Sequence, residues 1–178
     1  MAPEPFLDYV HDIDLSVVPE APELRAALSA LPGRKLIFTN GSRRHAERVA
    51  DKLGVLDLFE GISDIASCGF SPKPSAEAFD AMIAHHGVAA QEAAMFEDLP
   101  QNLEVPHALG MATVLVWSAY VDHPAHATMR SWRTLPDHVH HMTDDLTQFL
   151  ARVVEPIGEA SGGEHVASGS PLPNTVQR

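Results

Sequence analysis

The hydrophobic period of this chain switches repeatedly between that of a helix and that of a buried strand, which limits the folds open to it more than any other feature. Leu24, Ala27, Leu28 and Leu31 recur at helical spacing, predicting a helix over 23–31 that stops at Pro32-Gly33. Lys35-Leu36-Ile37-Phe38-Thr39 is a short apolar run, as expected of a strand buried on both faces. Ser42 is placed to cap a helix running to Leu53, which Gly54 ends. Residues 61–67 form a weaker strand candidate, followed by a helix over 74–86 with Gly87 as its stop. Residues 93–96 and 112–117 read as further buried strands. A short strand over 138–142, then a helix over 144–154, completes the series. Strands alternating with helices through short loops mean βαβ units and a parallel sheet, hence an α/β fold.

The expected core is 22–154. Residues 1–21 hold Phe6 and Tyr9 and then the Pro19-Glu20-Ala21-Pro22 connection. Residues 155–178 lose periodicity and fill with Gly, Ser and Pro, reading as a disordered tail. The chain carries 24 acidic and 12 basic side chains, a formal charge of -12. Its long-range field repels phosphates, which argues against nucleic-acid and anionic-membrane partners. One cysteine, no apolar run of spanning length and no export signal in 1–5 lead us to expect a cytoplasmic protein.

Ligands on parallel sheets bind outside the carboxyl ends of the strands, so the polar residues there are the candidates. Thr39-Asn40-Gly41-Ser42 leads from a strand into a helix, and its hydroxyl, amide and backbone N–H groups suit an anion. The alternative is that these residues only shape the turn. Lys73, one of three lysines, lies between Pro72 and Pro74 on a stiffened loop, where its charge suits a phosphate or a carboxylate nucleophile; otherwise it is an exposed turn residue. Glu97 and Asp98 close a strand side by side with Asn102 beyond them. Adjacent acids repel unless a cation lies between, and hard oxygen ligands suit Mg²⁺ rather than zinc. An alternative role for Asp98 is N-cap of the following helix.

In this order, these motifs resemble those of the haloacid dehalogenase-like phosphohydrolases. Phe38-Thr39-Asn40-Gly41-Ser42 with the following Arg43-Arg44-His45-Ala46-Glu47-Arg48, then Lys73-Pro74, then Phe96-Glu97-Asp98-Leu99-Pro100-Gln101-Asn102-Leu103, are similar to the pyrimidine 5′-nucleotidase-like branch. The resemblance spans about 22–150. It implies a three-layer Rossmann-like core and a small phosphorylated substrate such as a nucleoside monophosphate. It further implies that Thr39 and the backbone of Asn40 and Gly41 bind the phosphoryl group, with Lys73 holding phosphate and nucleophile together. Asp98 with Glu97 would bind Mg²⁺. The family's nucleophile is an aspartate in a D-x-D motif ending the central strand; it forms an aspartyl-phosphate that water hydrolyses.

No apolar strand carrying that motif precedes Thr39. The formal match is Asp12-Ile13-Asp14-Leu15-Ser16, but Asp8 and His11 interrupt the run before it, unlike a central parallel strand. Residues 1–21 are similar instead to the segment where the family's cap returns to the core. The first strand and most of the cap are therefore expected to be missing, leaving a gap between the Thr39 strand and the Glu97 strand. An N-terminally truncated gene is the expected cause, with a degenerate homologue or partial filling by 5–15 as alternatives. Asp12 as nucleophile, with Asp14 as the general acid and base that the resemblance implies for the second aspartate, is the minor reading, and negligible phosphatase activity is expected.

Other residues have plainer readings. His138, His140 and His141 read as strand residues rather than a metal site, with Thr143 or Asp144 capping the last helix. His85 and His86 suit a helix C-terminus. Arg43, Arg44 and Arg48 read as a solvated helix face, or else as holders of an anionic substrate. Cys68 reads as buried packing. Trp117, Tyr120 and Trp132 are candidates for packing beyond the fourth strand.

Overall fold

The computed structural model describes residues 13–117, 129 and 132–154. Asp12, Tyr120 and the segment 155–178 lie outside the described residues. Helix α1 (Pro22–Ala30) leads to strand β1 (Leu36–Phe38) and helix α2 (Arg43–Lys52). Then come β2 (Gly61–Ser63), α3 (Ala76–His86), β3 (Ala94–Glu97), α4 (Glu104–Ala108), β4 (Ala112–Val116), β5 (His141–Thr143) and α5 (Leu146–Val154).

All strand pairs are parallel, as the alternation of periods requires. Ile37 pairs with Ile62, Phe96 with Val114, and Leu115 with Met142. Neighbouring residues on each strand point to opposite faces. Ile37 and Phe96 pack with Ala27, Leu28, Ala50 and Leu150 from α1, α2 and α5. Phe38 and Met95 pack on the other face with Phe79 and Met82 of α3 and with Met111. Trp117 and Trp132 join Leu103, Leu115, Met129 and Val139 in a third cluster, the packing role expected of them. The result is an α/β sandwich of the Rossmann-like type.

The strands form two ribbons, β1 with β2 and β3-β4-β5 in that order. Among the described residues, the second edges of β1 and β3 have no strand partner. This explains a departure from expectation: Leu36, Ile37, Phe38, Met95 and Phe96 are half-buried rather than buried on both faces. Among the described residues, β1 and β3 each have a hydrogen-bonded strand neighbour on one side only.

The helix ends follow local chemistry. Ser42 Oγ accepts the His45 N–H at 3.3 Å, and Ser75 Oγ accepts that of Ala78 at 3.3 Å. Gly87 ends α3 at φ 62°, a left-handed conformation that glycine adopts without steric cost. Two expectations near the C-terminus are corrected. The last strand starts at His141, because Pro136–Val139 is a turn closed by a 2.9 Å bond from Val139 N to Pro136 O. The last helix is capped by Asp145, whose Oδ1 accepts the Gln148 N–H at 2.9 Å; Thr143 Oγ1 in turn accepts the N–H of Asp145. No helix among the described residues is long and apolar enough to cross a membrane.

Candidate functional site

The carboxyl ends of β1 and β3 open into one cavity of about 470 Å³. Thr39, Asn40, Gly41, Lys73, Glu97, Asp98 and Asn102 all line it. Residues scattered over more than sixty positions of sequence thus meet where the parallel-strand rule places ligands.

Lys73 lies at the centre. Its ammonium donates to Phe38 O at 2.8 Å, pairs with Glu97 Oε1, and stands 4.8 Å from the centre of the Phe38 ring. Thus it ties the end of β1 to the end of β3. Its loop is fixed by Ser75 N to Pro72 O at 2.9 Å and by the Ser71 and Ser75 hydroxyls 2.7 Å apart. The Lys73–Pro74 peptide bond is cis.

Thr39 Oγ1 accepts the Gly41 N–H at 2.9 Å. A hydroxyl that accepts through a lone pair keeps its own hydrogen to donate, so the Thr39 O–H is available to an anion. The Gly41 N–H, expected among the anion donors, is committed to Thr39 instead. Asn40 also differs from expectation: its Oδ1 accepts the Lys73 N–H at 2.8 Å and its Nδ2 donates to Lys73 O at 3.1 Å.

The two acids have separate roles. Glu97 is buried, and Asn102 Nδ2 donates to its Oε1 at 3.2 Å while the N–H groups of Asp98 and Leu99 donate to Oε2 at 3.0 and 3.3 Å. The capping alternative for Asp98 is not what the structure shows, because no side chain caps the two helical segments directly after β3, and the Glu97 carboxylate instead takes the N–H groups of the turn at Asp98 and Leu99. Asp98 is exposed on the cavity. Mg²⁺ usually takes one or two carboxylates and completes its shell with water and phosphate oxygens. The exposed Asp98 carboxylate fits that pattern, with Glu97 adjoining it. Among the described residues, no group of three or more His, Cys, Asp or Glu side chains is placed to hold a metal.

Asp14 is elsewhere. It accepts from Ser16 N and Ser16 Oγ, both at 2.8 Å, and these bonds hold its carboxyl below the usual range. It lines a second cavity with Arg48, Asp51 and Lys52, the last two at the C-terminal end of α2. Ile13 O accepts from Arg48 Nη2 at 3.1 Å. The minor reading of Asp14 as a catalytic residue is therefore corrected: a tight Asx-type turn holds it outside the Lys73 cavity.

Asp64 was missed in the sequence, although it directly follows β2 and the rule for strand ends applies to it. Its carboxylate accepts the N–H of Ser67 at 3.0 Å and of Arg43 at 3.1 Å, anchoring the start of α2 beside the Thr39 loop. Burial pushes its carboxyl up, but the hydrogen bonds from Ser67 and Arg43 outweigh this and hold it below the usual value. Arg43 itself donates to Ile62 O and approaches Glu47 to 3.9 Å, so it serves the fold. Cys68 is buried, and burial pushes its thiol up, which fits the packing role.

The chain is thus a parallel-sheet α/β protein of the Rossmann-like type with a lysine, a hydroxyl and a carboxylate gathered at two strand ends. A family model described as haloacid dehalogenase-like hydrolase matches residues 6–110, and the chain belongs to that family. A haloacid dehalogenase-like protein of unknown function from Agrobacterium tumefaciens is 22% identical with a TM-score of 0.57, over 72% of this chain and 57% of that one. A family hydrolase from Deinococcus radiodurans with bound phosphate and sodium is 20% identical, with a TM-score of 0.55 over 74% and 56%. The L-2-haloacid dehalogenase of Xanthobacter autotrophicus with chloropropionic acid covalently bound is 16% identical, with a TM-score of 0.55 over 74% and 60%. These likenesses show a shared fold, and this chain spans less than two thirds of each of the three.

Proposed function

We propose that the chain carries the phosphoryl-binding half of a Mg²⁺-dependent phosphomonoester hydrolase acting on a small phosphorylated substrate. The observation that carries this reading is the convergence of the Thr39 hydroxyl, the Lys73 ammonium and the Asp98 carboxylate on one cavity. Thr39 donates to a phosphoryl oxygen, and Lys73 neutralises phosphate charge next to it. Asp98 would hold Mg²⁺, which when bound stabilises negative charge on the phosphoryl group, whereas the Glu97 oxygens, expected to share the metal, are taken by Lys73, Asn102 and two backbone N–H groups. Bound phosphate in the Deinococcus radiodurans relative supports the same ligand class. The finer assignments follow from the motif order. They are a nucleoside monophosphate substrate, as in the pyrimidine 5′-nucleotidase-like branch, and an aspartyl-phosphate mechanism, while the single cysteine is what supports a cytoplasmic location.

That mechanism needs an unengaged carboxylate facing Lys73 and Asp98. Among the described residues, the acids on the cavity are Glu97, held by four donors, and Asp98 on the metal side. Asp12, the formal match to the nucleophile, lies outside the described residues, and it is the motif reading, with Asp8 and His11 interrupting the run before Asp12, that leads us to assign this chain phosphate binding with negligible turnover of its own. Calorimetry with inorganic phosphate, with and without Mg²⁺, tests the binding: Mg²⁺-enhanced binding that Lys73→Ala weakens but leaves measurable is the expected result. Steady release from p-nitrophenyl phosphate or UMP overturns the negligible turnover: release lost in Asp12→Asn makes Asp12 the nucleophile, and release that survives it overturns the whole assignment of roles. Binding without any Mg²⁺ effect favours a non-catalytic phosphate or nucleotide binder that keeps the Thr39 and Lys73 pocket.

A further inference from the structure

We infer that Asn40 is the positioning residue of Lys73, acting on a bound anion through that lysine. The inference rests on the proposed phosphate site and deepens it. Asn40 follows β1, whereas Lys73 sits on the loop before α3, and no backbone ladder joins the two segments at this point. The Asn40 side chain supplies the join. Its Oδ1 accepts the Lys73 N–H at 2.8 Å and its Nδ2 donates to the Lys73 carbonyl at 3.1 Å. A planar amide meeting both polar groups of one residue repeats the pairing that a neighbouring strand would make.

This pair fixes the lysine main chain, and two contacts fix the far end of its side chain, at Phe38 O and at Glu97. A lysine stem has four rotatable bonds, so its ammonium has a defined place only when both ends are held. Phe38 lies two residues before Asn40, so the end of β1 grips Lys73 twice: by a backbone carbonyl at the ammonium and by the Asn40 amide at the main chain. Asn40 therefore sets the height of the charge above the strand ends, and Glu97 sets its direction.

The test uses the full chain in two arms. In the first, inorganic phosphate affinity is measured for wild type, Asn40→Ala, Lys73→Ala and the double variant. Asn40→Ala is expected to weaken binding by about tenfold, and the double variant to bind no more weakly than Lys73→Ala alone. Additive losses mean that Asn40 touches the anion directly and overturn the inference. The second arm needs no ligand. The Lys73 ammonium is followed by NMR in ¹⁵N-lysine-labelled protein, with Lys73→Ala assigning its resonance. Asn40→Ala is expected to shift the signal and speed its exchange with water, and Asn40→Asp, which keeps the acceptor but loses the donor, to do so less. An unchanged ammonium signal in both variants overturns the inference. If wild type binds no phosphate, the proposed function falls, and the second arm still decides the role of Asn40.

Discussion

Lys73 and Glu97 form an ion pair in which the two side chains are only 7% and 6% exposed. Removing one member of such a pair leaves the other without its counter-charge in a poorly solvated place. The two truncations are not equivalent here. After Lys73→Met, Glu97 keeps Asn102 and two backbone N–H groups, so a loss of about 3 kcal/mol is expected, the low end for a broken buried pair. After Glu97→Leu, Lys73 keeps only Phe38 among the described residues, and the N–H groups of Asp98 and Leu99 lose their acceptor; about 5 kcal/mol is expected. Urea unfolding of the three proteins measures the order, and a Lys73→Met loss larger than that of Glu97→Leu contradicts it.

Asp64 predicts an acid-sensitive contribution to stability. Its folded carboxyl is held below the usual value of 3.8 by the bonds from Ser67 and Arg43. The unfolded chain therefore takes up a proton first as pH falls. The stabilisation is complete well above 3.8, begins to fade as pH approaches that value, and is gone below the folded value. Asp64→Ala is expected to cost about 1–2 kcal/mol at pH 7, as for a lost helix cap. The gap between variant and wild type should close as unfolding is repeated toward pH 3. A constant gap over that range rules out the linkage.

Gly61 and His86 are expected to show strong coupling. A Cβ at Gly61 would lie 2.6 Å from His86 Cε1 and 3.0 Å from Nδ1. The ring has little room to yield, because its Nε2 is 3.0 Å from the buried Ser63 Oγ and it stacks edge-on with His85. Gly61→Ala is expected to destabilise by about 1–3 kcal/mol, and His86→Ala to relieve most of that in the double variant. Thermal melts of the four proteins check this, and simple additivity would falsify the contact.

His86 itself should titrate low. Burial, then the charges of His85, Arg34 and Arg43, push its imidazole below 6.5. Between the folded value and 6.5 the unfolded chain binds more protons, so stability should rise with pH across that window. An NMR titration of the ring with its midpoint above 6.5 contradicts this.

What could be read in the sequence was what depends on local period and local caps. The parallel strands, the helix stops at Gly54 and Gly87 and the cap at Ser42 are all written within a few residues of where they act, whereas the Ser75 cap escapes notice because that helix reads as starting at Pro74. The three candidate segments were found through a topological rule that needs only the strand order. Partners were not legible. The groups that engage Asn40 and Glu97 lie 33 and 24 positions away on Lys73, and side-chain type alone does not say which distant loop it will meet. Strand burial was also misjudged at Leu36–Phe38, because an apolar run records the faces of a strand and not the state of its edges. Asp64 escaped notice because β2 is three residues long and weakly apolar.

Thr39 offers the test that separates structure from binding at the cavity. Its Oγ1 accepts the Gly41 N–H at 2.9 Å, and its backbone N–H donates to Ser63 O at 2.9 Å. Thr39→Ser keeps the hydroxyl and should keep both the turn and the anion donor. Thr39→Val keeps the shape, deprives the Gly41 N–H of its acceptor and removes the donor; a stability loss of about 1 kcal/mol is expected. If the hydroxyl also donates to phosphate, affinity should fall by a further factor of about 10, the worth of one hydrogen bond to a charged group. Calorimetry with inorganic phosphate, at a temperature where both variants remain folded, reads the second effect free of the first. A Thr39→Val protein that is less stable but binds phosphate as tightly as wild type would restrict Thr39 to shaping the turn, leaving Lys73 as the cavity's direct anion-binding group.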